Sequence, residues 1–117
     1  EFLDLMHKRL TRRGMEVVTA PAGKTALDLL EASLQPGGAA FQVVVMDVRM
    51  PGRDGLETLR HVKEKAPGLP VILLTGHACM GVAVQGLDLG AYDYMLKPVA
   101  ISELIIKMEE AVRSAAS

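Results

Sequence analysis

Phe41-Gln42-Val43-Val44-Val45-Met46 runs directly into an acid, Asp47. The run is short, rich in β-branched residues and too uniformly apolar for a sheet with one wet face, so it predicts a strand over 41–46 covered on both faces. Two covering layers require helices, and the flanking segments supply them. Upstream, residues 1–13 put Phe2, Leu3, Met6 and Leu10 on one face and Asp4, Lys8, Arg9 and Arg12 on others, an amphipathic helix stopped by Gly14. Residues 15–20 then read as a short strand. Residues 23–34 read as a second helix, with Ala26, Leu27, Leu30 and Leu34 at helical spacing, ended by the loop sequence Gln35-Pro36-Gly37-Gly38.

The same alternation continues downstream. Residues 55–66 line Leu56, Leu59 and Val62 on one stripe and turn Glu57, Arg60, Lys63 and Glu64 to water, until Pro67-Gly68. Val71-Ile72-Leu73-Leu74 is a second strand expected to be fully buried, and it ends at Thr75-Gly76. Residues 80–89 predict a helix in which Gly81 and Gly86 each cost roughly 1 kcal/mol relative to Ala. Residues 92–96 read as a strand closed by Lys97-Pro98, and Ile101, Leu104, Ile105, Met108 and Val112 give a final helix its apolar stripe. Strands alternating with helices define an α/β fold.

Composition narrows the class further. The chain has 117 residues, half of them apolar, which suits one domain over 1–117 with a real core and excludes a disordered tail. Thirteen basic and fourteen acidic residues give a formal charge of -1, without the positive excess of a nucleic-acid binder. A single cysteine, Cys79, permits neither an internal disulfide nor a multi-cysteine zinc site, and points to a cytoplasmic protein. No stretch approaches the ~18 continuous apolar residues of a membrane span. Two Phe, two Tyr and no Trp argue against base stacking or aromatic-cage recognition.

Strands joined by helical crossovers run parallel, so their carboxyl ends collect on one edge, where ligands bind in open α/β sheets. Asp47, Thr75 and Lys97 each stand at or just past such an end. Their chemistry suits a phosphoryl group. Asp47 can attack phosphorus, Lys97 can neutralise one phosphoryl oxygen, Thr75 can donate to another, and Gly76 leaves the backbone approachable. The same three residues also fit a plain Asp–Lys ion pair closing a sheet edge beside a Thr that ends its strand.

These residues carry a resemblance. Val43-Val44-Val45-Met46-Asp47-Val48-Arg49-Met50-Pro51-Gly52-Arg53-Asp54-Gly55 resembles the phospho-acceptor segment of the receiver (CheY-like) domains of bacterial two-component response regulators. Leu73-Leu74-Thr75-Gly76-His77-Ala78 is similar to their switch segment, and Gly90-Ala91-Tyr92-Asp93-Tyr94-Met95-Leu96-Lys97-Pro98 to their final strand. The resemblance extends over essentially the whole chain. It implies a flavodoxin-like three-layer αβα sandwich with a parallel sheet in the order 2-1-3-4-5.

The resemblance also implies roles. Asp47 would accept a phosphoryl group from the phosphohistidine of a histidine kinase or phosphotransfer protein, with Mg2+ held by Asp47 and the backbone carbonyl of Arg49. Thr75 would move to the phosphoryl oxygen, Lys97 would bind it, Tyr94 would turn inward, and Pro98 would follow Lys97 through a cis bond. The repacked face, made by 80–89, the final strand and the last helix, would control an output domain or a homodimer through 80–117. Such a domain catalyses only its own phosphotransfer and dephosphorylation and engages neither nucleic acid nor membrane.

One departure bears on the metal. The strand and the adjacent pair of acids that the family places before the first helix are not found in 1–117, so the sequence is expected to be a piece of a longer chain. This polypeptide alone is expected to aggregate or to fail to bind Mg2+, which prefers octahedral oxygen coordination. Ala100 stands where receivers often carry a capping Asp, and Ser102 is expected to take over that cap. Arg49 and His77 flank Asp47 and Thr75 as solvated edge residues, while His7 and His61 lie on polar helix faces. Two other function classes remain open at this point. One is a phosphorylation-independent pseudo-receiver that only binds partners. The other is an aspartyl phosphotransferase, in which a second Asp would be expected where Arg49 stands.

Overall fold

The computed structural model describes residues 2–50 and 53–116. Glu1, Pro51, Gly52 and Ser117, and the side chains of Phe2, Met50, Arg53 and Asp54, lie outside the described residues. In chain order the elements are α1 (Phe2–Arg12), α2 (Gly23–Ser33), β1 (Val44–Asp47), β2 (Arg49–Met50), β3 (Arg53–Asp54), α3 (Gly55–Lys65), β4 (Val71–Thr75), α4 (Met80–Asp88), β5 (Asp93–Leu96) and α5 (Ile101–Ala116). A 3-10 turn, His77–Cys79, leads into α4.

Three parallel strands form the sheet, in the order β1-β4-β5. Val44 pairs with Val71 and Asp47 with Leu74, while Ile72 pairs with Asp93 and Thr75 with Leu96. Successive side chains leave opposite faces, and the core divides accordingly. Met46, Val48, Val71 and Leu73 pack with Leu27 and Leu30 of α2 and Leu59 and Val62 of α3. Ile72 and Leu74 pack with Met6 and Leu10 of α1 and Leu104, Ile105, Met108 and Ala111 of α5. The result is the three-layer αβα sandwich expected from the sequence.

Burial singles out β4 as the central strand: all five of its residues are buried. β1 corrects the sequence reading. It covers 44–47 rather than 41–46, and Val43, Val44 and Val45 are only half-buried because β1 pairs with β4 alone among the described residues. Residues 15–20 correct it again, since they form no strand. Met15 and Val17 turn into the α1–α5 layer and Glu16 and Val18 outward, the alternation of an extended chain. No described segment pairs with it, and side-chain alternation without a ladder is not a sheet strand. Further differences are the two-residue antiparallel ladder of β2 with β3 on either side of the sequence Pro51-Gly52, a pairing not expected from the sequence, and the exposure of Leu3. α5 starts at Ile101 with Leu104 N–H donating to Ala100 O (3.0 Å), so Ser102 lies inside the first turn rather than at the cap.

Two glycines fix local geometry. Gly14 (φ 87°) ends α1: its N–H donates to Thr11 O (3.0 Å) and that of Met15 to Leu10 O (3.3 Å), the paired bonds that close a helix on a left-handed residue. Gly55 opens α3 where a Cβ would stand 2.4 Å from Val48 O, a backbone atom with little freedom to yield. Gly55→Ala is therefore expected to destabilise the fold by about 1–3 kcal/mol through overpacking. Urea unfolding would check it, and an unchanged midpoint would show that β1 and α3 can separate without cost.

Candidate functional site at the strand ends

Backbone hydrogen bonds continue to the tips of the three strands. Val48 N–H donates to Leu74 O (3.0 Å), and Lys97 N–H donates to Thr75 O (2.7 Å). That register brings Asp47, Thr75 and Lys97 to one edge. Lys97 Nζ donates to Asp47 Oδ2, and Arg49 N–H donates to Asp47 Oδ1 at 2.9 Å, so both carboxylate oxygens have a partner. The ion pair is open to water: the side chains of Asp47 and Lys97 are 34% and 39% exposed.

The structure joins acid and amine and turns the alcohol elsewhere. Thr75 is fully buried, and its Oγ1 donates to Gly76 O at 3.1 Å. A buried hydroxyl needs an acceptor, and the adjacent carbonyl satisfies it while Asp47 is held by Lys97. Gly76 is extended (φ −91°, ψ 170°), with open space where a Cβ would stand. A ligand can thus approach its backbone, and an alanine would fit there too. Tyr94 sits opposite Leu73 in the ladder, half-buried against the α2–α3 layer. The Lys97–Pro98 peptide bond is cis. Arg49 and His77, two residues after Asp47 and Thr75 in the sequence, are exposed.

The residues present do not fit Mg2+. Octahedral oxygen coordination needs several hard ligands. Here Asp47 has both oxygens engaged, Arg49 would add one carbonyl, and no group of three His, Cys, Asp or Glu able to hold a metal occurs among the described residues. Calorimetric titration of the chain with Mg2+ is expected to show no saturable heat in the millimolar range. A saturable one-to-one isotherm would contradict this.

Sequence reasoning missed a second polar contact beside the site. Asp93 Oδ1 accepts from Tyr94 N–H (2.7 Å) and Asp93 Oδ2 from Lys107 Nζ of α5 (2.6 Å). The bond to Asp93 holds the Lys107 ammonium above its ordinary pKa. The only signal available was an acid opening a strand and a lysine in the last helix, a pairing that a tertiary register alone can make. A cavity of about 430 Å3 between α1 and the start of α5, bordered by Leu5, Arg9, Arg13 and Ile101, is lined by none of the strand-end residues. No helix among the described residues is long and apolar enough to cross a membrane.

Comparisons with known proteins agree with this geometry. The response regulator receiver domain family matches residues 1–109. The DNA-binding transcriptional regulator NtrC of Klebsiella pneumoniae is 34% identical over 108 residues, 92% of this chain and 22% of that protein. The transcriptional regulatory protein FixJ of Bradyrhizobium diazoefficiens is 39% identical over 98 residues, 83% of this chain and 48% of that protein. The chain therefore spans less than half the length of these relatives. Among solved structures, the receiver domain of NtrX from Brucella abortus superposes with a TM-score of 0.83 at 32% identity, covering 94% of this chain and 88% of that one. A response regulator receiver domain protein from Clostridium thermocellum gives 0.89 at 30% identity, covering 97% and 86%. The sheet is thus the CheY-like, flavodoxin-like one, and with residues 1–109 matched the chain belongs to the response regulator receiver domain family.

Proposed function

We propose that this chain is a single receiver domain over 1–117 and works in the cytoplasm as a phosphorylation-activated switch of a two-component system, with Asp47 as the acceptor. The observation that carries the reading is the contact of Lys97 Nζ with Asp47 Oδ2 at the carboxyl edge of a parallel sheet. A carboxylate oxygen of Asp47 attacks the phosphorus of a phosphohistidine on a histidine kinase or phosphotransfer protein. The P–N bond breaks, and the imidazole leaves with its electron pair and takes a proton from solvent. The acyl phosphate brings about -1.5 to -2 charge, by analogy with other phosphorylated side chains. Lys97 shifts from the carboxylate to a phosphoryl oxygen, at little cost in so exposed a pair.

Thr75 then has a better acceptor than Gly76 O. Its hydroxyl turns to a phosphoryl oxygen, a charge-assisted bond roughly twice as strong as a neutral one. The space it vacates is open to the Tyr94 ring, and the α4–β5–α5 face repacks. That face exposes Val84, Leu87, Tyr92, Leu96 and Ile106, apolar groups suited to an output domain or a second copy. Mg2+ would require oxygen ligands beyond Asp47 and Arg49, so no step here passes through it. The chain acts on no separate substrate.

A second reading, a pseudo-receiver that binds partners without phosphate, draws on the same contacts: both Asp47 oxygens are engaged and Thr75 is satisfied by Gly76. Incubating the full chain with acetyl phosphate, with and without Mg2+, and weighing it intact separates the two. A stable gain of one phosphate, lost in Asp47→Asn, is the expected result. No gain would favour the pseudo-receiver, and continuous turnover of a phosphoester would mean an enzyme.

A further inference from the structure

Asp93 and Tyr94 are adjacent on β5 and leave it on opposite faces. Tyr94 packs toward the α2–α3 layer, whereas Met95 packs toward α1 and α5 and Asp93 reaches α5 through Lys107. One carboxylate therefore holds two things at once: the amide of Tyr94 through Oδ1 and the α5 ammonium through Oδ2. The side chains of Lys107 and Asp93 are 27% and 37% exposed, and Glu110 adds favourable charge near the lysine. We propose that the Asp93–Lys107 ion pair is the link that couples the Tyr94 backbone to α5, making Asp93 and Lys107 positioning residues of the switch. A shift of the β5 backbone at Tyr94 moves the amide that donates to Asp93 Oδ1, and through the Oδ2 contact with Lys107 that shift is passed to the helix. The proposal rests on the receiver reading for its biological sense, while the coupling itself exists in the unmodified chain and is measured there.

The test is amide hydrogen exchange on the full, unphosphorylated chain, read at Tyr94 and over the first three turns of α5. Lys107→Gln keeps the stem and removes the charge; Asp93→Asn keeps an acceptor for the Tyr94 amide. Both are expected to speed exchange at Tyr94 and in α5 together, roughly two- to fivefold, as suits a partly exposed pair. Lys107→Arg is expected to restore wild-type exchange at both places. Faster exchange in α5 with Tyr94 unchanged, no change at either, or an arginine variant as fast as the glutamine one would overturn the coupling. Acetyl phosphate treatment of the same samples reports on the receiver reading separately: a wild-type chain that gains no mass counts against phosphorylation, while the exchange data still decide the coupling.

Discussion

Lys97→Gln is expected to slow phosphate incorporation at Asp47 by about two to three orders of magnitude, the usual cost of removing one preorganised group that stabilises developing charge. The phosphoryl group gains negative charge on oxygens at the sheet edge, and Lys97 is the cation already seated there, in contact with Asp47 Oδ2. Glutamine can still donate a hydrogen bond and cannot neutralise charge. The same substitution should leave folding stability within about 1 kcal/mol, because the pair is more than a third exposed on either side and water screens it. Rates from a mass-resolved time course with acetyl phosphate, set beside urea midpoints, separate the two effects. A large loss of stability with an unchanged rate would make Lys97 a structural residue.

Ile72→Ala should show the opposite pattern in stability, a loss of about 2–5 kcal/mol. Ile72 is fully buried at the centre of β4, between β1 and β5, and packs with Leu104, Ile105 and Met108. Those helical side chains are themselves packed and cannot close a cavity of several methylenes without moving α5. Ile106, one position beyond Ile105 on the solvent side of the same helix, is 56% exposed, and its alanine variant should stay within about 0.5 kcal/mol. Chemical denaturation of both variants checks the contrast. Similar losses would mean that the layer assignment of α5 is wrong.

Much of this architecture was legible because its signals are local. Uniformly apolar runs mark buried strands, helical stripes such as Leu104, Ile105 and Met108 mark the layers that cover them, and Gly14 marks a stop. The order of Asp47, Thr75 and Lys97 along the chain was enough to bring them to one edge. What escaped depends on who pairs with whom. Val43-Val44-Val45 reads the same at a sheet edge as at its centre, and only the ladder shows that β4 holds the centre. Residues 15–20 alternate like a strand, yet no described segment forms a ladder with them. The turn of the Thr75 hydroxyl to Gly76 and the reach of Lys107 to Asp93 are choices of rotamer and register that no periodicity encodes.

Asp47 as the residue that takes the phosphoryl group is tested most directly by trapping the acyl phosphate. Borohydride reduces an aspartyl phosphate to homoserine, and sequencing of the digested full chain then reports the position. Homoserine at 47, absent from Asp47→Asn, is the predicted outcome. Homoserine at another acid, or a phosphate that survives Asp47→Asn, would contradict it.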